Sequence, residues 1–167
     1  MVDIGLSVIL LVGGVSVISD TDDCARNAHL LGTYISGTRV IELCQRNAEN
    51  KDQDVGKIIR HEMVHLIQNN LGRTTSLIPD AVMTPMVRWL MDDREVMTVL
   101  LYEEEDIDQE FEARLLSNLP NWSLGTALWL SERYRAIQAG TITPEYPWEM
   151  LPLQAVFWDC PFQPTQG

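Results

Sequence analysis

The N-terminal part of the chain consists of apolar runs separated by short polar breaks. Residues 4–18 read IGLSVILLVGGVSVI, which is rich in Val and Ile and interrupted by Gly13-Gly14. This composition predicts two buried strands around a glycine turn, with a signal or anchor segment as the alternative. At about 15 residues, the run is shorter than the roughly 20 needed to span a bilayer as a helix. LLGTYI and TRVIELC, separated by Ser36-Gly37, predict a second β region over 29–44.

Helical patterning follows the polar connection that precedes Val55. Four helices are predicted, over residues 55–71, 86–102, 109–119 and 123–139. The first is capped by Asp52 or Asp54 and ends at Gly72, and the second begins after the cap Thr84-Pro85. The buried face of the second is expected to contain Trp89, Leu90, Val96, Met97 and Leu100.

The order of these elements, strands first and helices later, predicts an α+β fold in one domain over 1–167. Its parts are expected to be mainly β over 1–50, mainly helical over 52–140, and an irregular C-terminal wrap over 141–167. The wrap is expected because five of the eight prolines fall in it.

Charge narrows the classes of partner. The 167 residues include 24 acidic and 12 basic ones, giving a net charge of −12. Such a chain cannot neutralise a run of phosphates, so nucleic acid is excluded as a partner, as is docking on an anionic membrane surface. The apolar fraction of 46% predicts a folded core rather than disorder.

Three cysteines, Cys24, Cys44 and Cys160, show no metal-binding spacing. They are expected to be buried thiols, and pairing of Cys24 with Cys44 stays open as the alternative. The N-terminus carries no classical signal sequence, which favours the cytoplasm or a virion over secretion. The compartment is otherwise undetermined.

The motif with chemical meaning is His61-Glu62-Met63-Val64-His65, an H-E-x-x-H sequence on the first predicted helix. Residues four apart lie above one another on a helix, so His61 and His65 can present two imidazoles to one ion. Glu62 lies near the same face and suits the task of taking a proton from a metal-bound water. Zinc is the expected metal, one per chain, because it accepts two histidines and a carboxylate and keeps a position for water.

The third ligand must come from elsewhere, because no histidine follows the motif. Glu110-Phe111-Glu112-Ala113 on the third predicted helix offers two glutamates. Glu110 is preferred because Ala113 and Ser117 continue its face as a small stripe that allows close approach to the motif helix. Glu112 and Asp108 are the alternatives. The acidic residues just before this helix, 103–105, are expected to form a solvated loop.

IIRHEMVHLIQ followed by EFEAR resembles the gluzincin branch of the zincin metallopeptidases, over residues 58–114. The resemblance implies a zincin-like fold, zinc ligands His61, His65 and Glu110, and Glu62 as general base. It also implies a peptide or protein substrate that adds to the edge of a sheet, at GTYI or TRVIEL. The chain departs from the family at Arg114, where an Asp or Asn that orients a histidine is usual, and in the whole extra helix between His65 and Glu110.

The sequence therefore predicts a zinc-dependent endopeptidase. The alternatives are a zinc-stabilised binding or structural module without turnover, such as a virion or scaffold component, and a metal-dependent amidase acting on cell wall. A donor that stabilises the transition state is also expected. Its candidates are His29, Tyr102, Tyr134 and Tyr146.

Overall fold

The computed structural model of the protein describes residues 3–72 and 77–145. Within these residues the chain forms a small sheet and a larger set of helices, an α+β fold as predicted. The strands are β1 (Ser16–Ser19), β2 (Gly32–Ile35) and β3 (Val40–Leu43), and the helices are α1 (Ile4–Val12), α2 (Asp22–Arg26), α3 (Gln45–Asn50), α4 (Val55–Asn70), α5 (Asp80–Leu90), α6 (Asp93–Val99), α7 (Glu104–Leu116) and α8 (Asn121–Gln138).

The sheet has the order β1-β3-β2, so β3 lies in its centre. β1 runs parallel to β3, whereas β2 pairs antiparallel with it, with Tyr34 opposite Ile41. The predicted hairpin over 29–44 is confirmed, and Gly37 in its turn has the positive φ of +75° that favours glycine. Because β3 is central, β2 is the edge strand of this hairpin, and TRVIEL is not available to a substrate strand.

The first half of the predicted N-terminal strand pair is wrong, since residues 4–12 form the helix α1. Asp3 caps this helix by accepting a hydrogen bond from the Leu6 backbone N–H at 2.9 Å. Leu6 and Leu10, one helical turn apart, are buried against the core, and the chain leaves the helix through Gly14 with a φ of +60°. Only the second half of the run becomes a strand, β1.

Two further short helices lie before residue 52, so this part is not mainly β as predicted. α2 follows β1, and α3 occupies the segment that was expected to be a polar connection. Cys24 on α2 and Cys44 at the end of β3 form a disulfide, with their Cα atoms 5.3 Å apart. The expectation of buried thiols is therefore wrong for these two residues, and Cys160 lies outside the described residues.

Helix α4 lies at the centre of the fold and begins and ends as predicted. Asp54 caps it by accepting from the Gly56 N–H at 2.8 Å, and Gly72 follows it with a φ of +83°. One face packs on the sheet, α1 and α8 through buried apolar side chains. These include Ile59, Met63, Leu66 and Ile67. The other face meets α7, where Val64 packs on Ala113.

The second predicted helix is divided. α5 begins at Asp80 with Pro85 inside it, and α6 begins afresh after Asp92, which forms a capping box with Glu95. The break turns the predicted core face outward, and Trp89 is 87% exposed. Leu90, Met97 and Leu100 are also exposed, while Met83 on α5 and Val99 on α6 are buried instead.

The remaining helices agree more closely with the prediction. α7 starts earlier than expected because the acidic residues before position 109 form its first turns, where negative charge favours the helix N-terminus. Glu103 and Glu104 are exposed, as expected. α8 ends before Gly140, whose φ is +68°. Of the predicted C-terminal wrap, residues 146–167 lie outside the described residues.

Among the helices of residues 3–72 and 77–145, none combines the length and the apolar content that crossing a bilayer would require.

Candidate metal centre

Three side chains from two helices meet at one point. His61 and His65 come from α4 and Glu110 from α7, and one ligand atom of each lies within 4.8 Å of the others. The Nε2 atoms of the two histidines are 3.1 Å apart. Glu110 Oε1 lies 3.2 Å from His65 Nε2, and Glu110 Oε2 lies 3.6 Å from His61 Nε2. The structure thus brings together the three residues that the sequence predicted as metal ligands.

The helix repeat explains how the two histidines converge. One turn of α4 separates them, and their rings meet edge to face with centroids 4.8 Å apart. Each side chain is about four-fifths buried, at 19% and 20% exposure, so the site is enclosed but not sealed.

Glu110 reaches the histidines because α7 packs closely on α4. Ala113 and Ser117 on the same face of α7 are both buried, as the small stripe predicted. Arg60 of α4 donates from Nε to the Ser117 carbonyl at 2.9 Å and so fastens the end of α7. Glu110 Oε2 is buried without a hydrogen-bond partner. A buried carboxylate oxygen in this state suits a cation, because otherwise its desolvation has little compensation.

Glu112, the alternative third ligand, points away from the histidines. It is 1% exposed, and its Oε1 accepts from the Ile78 backbone N–H at 2.8 Å. Its Oε2 accepts from Gln68 Nε2 at 3.0 Å. Gln68 in turn places its Oε1 2.8 Å from His65 Nδ1. Glu112 therefore contacts a neighbour of the site rather than the site. Asp108, the other alternative, is exposed and lines a separate groove with Arg88.

Burial and neighbouring charges set the protonation of the histidines. Burial, and then the proximity of His65, lowers the pKa of His61 to about 3, which makes it neutral at pH 7, the form that binds metals. Burial also lowers the pKa of His65, but the hydrogen bond to Glu110 and the charge of Glu62 outweigh it and raise the pKa overall. For Glu110, burial is outweighed by the hydrogen bond with His65, and the net pKa is lowered.

Glu62 lies between the histidines and the sheet. Its Oε2 accepts from the Tyr34 backbone N–H of β2 at 2.8 Å. Burial raises the pKa of Glu62 to about 7, against the opposing effect of His65 and of this hydrogen bond. A carboxyl group with a pKa near neutrality can both take and return a proton at pH 7.

A polar cavity of about 180 Å³ opens beside this glutamate. Its walls are Thr33 and Tyr34 of β2, Glu62 and His65 of α4, and Asp106 and Gln109 of α7. The edge strand, the candidate base and one candidate ligand thus border the same space, which gives a small polar group access to them.

Comparison with protein-family models, with curated proteins and with solved structures finds no match for this chain.

A second cluster, Cys24, Glu42 and Cys44, also has the residue types of a metal site. The two sulfurs are joined in the disulfide and offer no thiolate, so the cluster does not qualify as one.

Among the four expected transition-state donors, Tyr102 lies close enough to the candidate site for the charges of Glu110 and Glu62 to change the pKa of its phenol. Burial raises its pKa, as do the carboxylates of Glu110 and Glu62, while Arg114 lowers it. His29 lies beside Lys51, Tyr134 packs against the core, and Tyr146 lies outside the described residues. Sequence reasoning missed Gln68, although its position three residues after His65 on the same helix was a usable signal.

Proposed function

We propose that the protein is a zinc-dependent endopeptidase with a zincin-like arrangement of sheet edge, active-site helix and ligand helix. The observation that carries the proposal is the convergence of His61, His65 and Glu110, with one ligand atom from each within 4.8 Å of the others. Two imidazoles and a carboxylate are a ligand set that zinc takes in hydrolases. Zinc bound there, one ion per chain, would supply Lewis acidity and lower the pKa of a water to about 7.

Glu62 is the general base in this proposal. Its Oε2 is held by the Tyr34 N–H, which leaves Oε1 to accept the proton as water attacks the scissile carbonyl carbon. Oε1 then returns the proton to the nitrogen of the leaving amine, and the C–N bond breaks. The pKa of about 7 suits both transfers.

The substrate would be an extended peptide added to the outer edge of β2. On the inner side, Leu31 accepts from Cys44 N–H and Ile35 from Thr38 N–H, so odd-numbered residues face β3. The main-chain groups of Gly32 and Tyr34 therefore point to the outer side, where the cavity beside Glu62 opens. The Tyr34 N–H already donates to Glu62 there, so the main-chain groups of Gly32 are the ones that would pair with the added strand. A strand added there would lie with its backbone across the candidate site.

Glu62→Gln tests the proposal. The change removes the base but none of the three ligands, so zinc should stay bound at one ion per chain while cleavage of a peptide library falls to the level of chelator-treated protein. Glu42→Gln is the matched control, because Glu42 is also a buried glutamate but lies beside the disulfide, 3.4 Å from Cys24 Sγ. It should cleave as wild type does.

Two outcomes would contradict the proposal. If native protein from cells grown with zinc contained no zinc by elemental analysis, the proposed zinc site would be refuted. Zinc retained without any peptide cleavage by wild type would leave a binding module or a hydrolase of another amide bond.

A further inference from the structure

Behind His65, a chain of hydrogen bonds runs from the candidate metal centre to the segment that enters α5. It passes from His65 Nδ1 to Gln68 Oε1 (2.8 Å), from Gln68 Nε2 to Glu112 Oε2 (3.0 Å), and from the Ile78 N–H to Glu112 Oε1 (2.8 Å). We propose that Gln68 and Glu112 are positioning residues that hold His65 in the tautomer that binds zinc. The inference rests on the proposed function, because it assigns a task to residues behind the same site.

The surroundings of Gln68 decide which way its amide points. Its Nε2 faces two oxygens, the Gln109 carbonyl and Glu112 Oε2, each at 3.0 Å. The reverse orientation would place Oε1 against both oxygens and lose two hydrogen bonds in a buried place. Oε1 therefore faces His65.

This orientation fixes the proton on the histidine. Oε1 of an amide can only accept, so His65 Nδ1 must carry the hydrogen and donate it. With Nδ1 engaged by Gln68, Nε2 is the ring nitrogen left to offer a lone pair to a bound metal, and Nε2 is the atom that lies 3.2 Å from Glu110 Oε1 and 3.1 Å from His61 Nε2. A hydrogen bond to the far ring nitrogen is the usual device by which proteins orient a metal-binding histidine.

Glu112 sets the direction of the hydrogen bonds in this chain, the relay from Ile78 through Glu112 and Gln68 to His65. It is 1% exposed, and burial of a carboxyl group is costly unless its oxygens are hydrogen-bonded. Both oxygens accept from N–H groups, one from the amide of Gln68 and one from the backbone. An acceptor at this place is what forces the Gln68 amide to turn its oxygen to His65.

The relay provides an acceptor that Arg114 cannot provide. In the family that the motif resembles, an Asp or Asn at that position orients a histidine, whereas the arginine here has no acceptor to offer. The acceptor for His65 comes from α4 itself, one turn after the histidine.

Two variants test the relay. Gln68→Leu removes all three of its side-chain hydrogen bonds, and Glu112→Gln places a second amide where the carboxylate stood. Asn70→Leu is the matched control, since Asn70 is also a buried amide on α4 but donates to Ser131 and Glu132 of α8.

Two readouts are needed, zinc affinity by competition with a chromophoric chelator and, in chelator-treated protein, the hydrogen on His65 Nδ1 by ¹⁵N NMR of the ring nitrogens. We expect each variant to weaken zinc binding roughly 10–100-fold and to lose the Nδ1 hydrogen that wild type retains. Asn70→Leu should lower stability only. Wild-type zinc affinity and an unchanged Nδ1 hydrogen in Gln68→Leu and Glu112→Gln would overturn the inference.

Because the Nδ1 hydrogen is measured in chelator-treated protein, this inference can be tested separately from the proposed function. Wild type that binds no zinc but keeps the hydrogen on His65 Nδ1, and loses it in Gln68→Leu, would refute the metallopeptidase and support the relay. Wild type that binds zinc, with zinc affinity and His65 unaffected by either variant, would support the metal site and refute the relay.

Discussion

Burial sets the protonation of the histidine and the glutamate at the start of the H-E-x-x-H motif. It keeps His61 neutral, and it raises the pKa of Glu62 to about 7 although this carboxylate accepts a hydrogen bond from a backbone N–H. A buried carboxyl with a raised pKa prefers its protonated form, and the folded protein bears the cost when the proton leaves. The same feature that suits Glu62 to proton transfer therefore lowers stability above neutral pH.

The raised pKa of Glu62 predicts that the difference in unfolding free energy between wild type and Glu62→Gln depends on pH in chelator-treated protein. The pKa of Glu62 rises from 4.5 unfolded to about 7 folded, so its contribution is fully present below pH 4.5 and lost as the pH rises through 7. Glu62→Gln lacks this titration. Relative to wild type, it should therefore gain up to about 3 kcal/mol between pH 5 and pH 8.5, measured by urea unfolding at both values. A difference between the two proteins that stays constant with pH would show that Glu62 titrates as it does in the unfolded chain.

At the scale of elements, the contact between β2 and α4 places the base. Gly32 makes this contact possible, since a Cβ added there would lie 2.7 Å from Ile58 Cγ2 and 3.3 Å from the Glu42 carbonyl oxygen. It would also lie 3.4 Å from Glu62 Cγ. A side chain at this position must therefore displace Ile58 or the strand itself, close to the point where the Tyr34 N–H reaches Glu62.

Gly32→Ala should therefore lower both stability and turnover while leaving zinc bound. Overpacking of this kind costs about 1–3 kcal/mol, and the lengthened bond from Tyr34 should reduce kcat more than it changes zinc content. Gly37→Ala is the control, because Gly37 has open space around its Cβ position and only its positive φ to lose. It should lower the unfolding free energy and leave kcat unchanged. Equal kcat in the two variants would argue against a role for the β2–α4 contact.

The elements that the sequence predicted well are those with local signals. α4 has an aspartate cap, a periodic apolar face and a glycine after its end, and the H-E-x-x-H spacing needs only that helix to be read correctly. α1 was missed because an almost wholly apolar run has no periodicity to separate a helix from a strand. The packing of Leu6 and Leu10 decides it, and that depends on elements more than a hundred residues away.

The residues of the candidate site likewise divide into those with a local sequence signal and those without one. Glu110 was identified from small neighbours on its own helix, a local signal. Gln68 and Glu112 act through a contact between α4 and α7 that no spacing reveals, because the residues are 44 positions apart. The break between α5 and α6 likewise depends on a capping box at Asp92, which a continuous helical pattern conceals.

At the scale of the molecule, the candidate centre depends on α4 being held in place from both sides. α7 packs on one side and the sheet on the other through β2 and β3, while α8 contacts both groups of buried side chains. The sheet side is in turn fastened by the disulfide from Cys24 on α2 to Cys44 after β3, which closes a loop that contains β2. Disulfides persist in oxidising compartments and are rare in the cytosol.

Loss of the disulfide should weaken the whole fold and, through the edge strand, the site. Closing a loop over a separation of 20 residues restricts the unfolded chain by about 3 kcal/mol, so reduction should lower the unfolding free energy by about that amount in urea titrations. The double variant Cys24→Ser/Cys44→Ser should match reduced wild type, and adding reductant to it should change nothing further. Because the loop carries the Tyr34 N–H that holds Glu62, peptide cleavage should fall with the disulfide while zinc stays on α4 and α7. Zinc lost in step with the disulfide would mean that the ligand helices depend on the sheet for their own geometry.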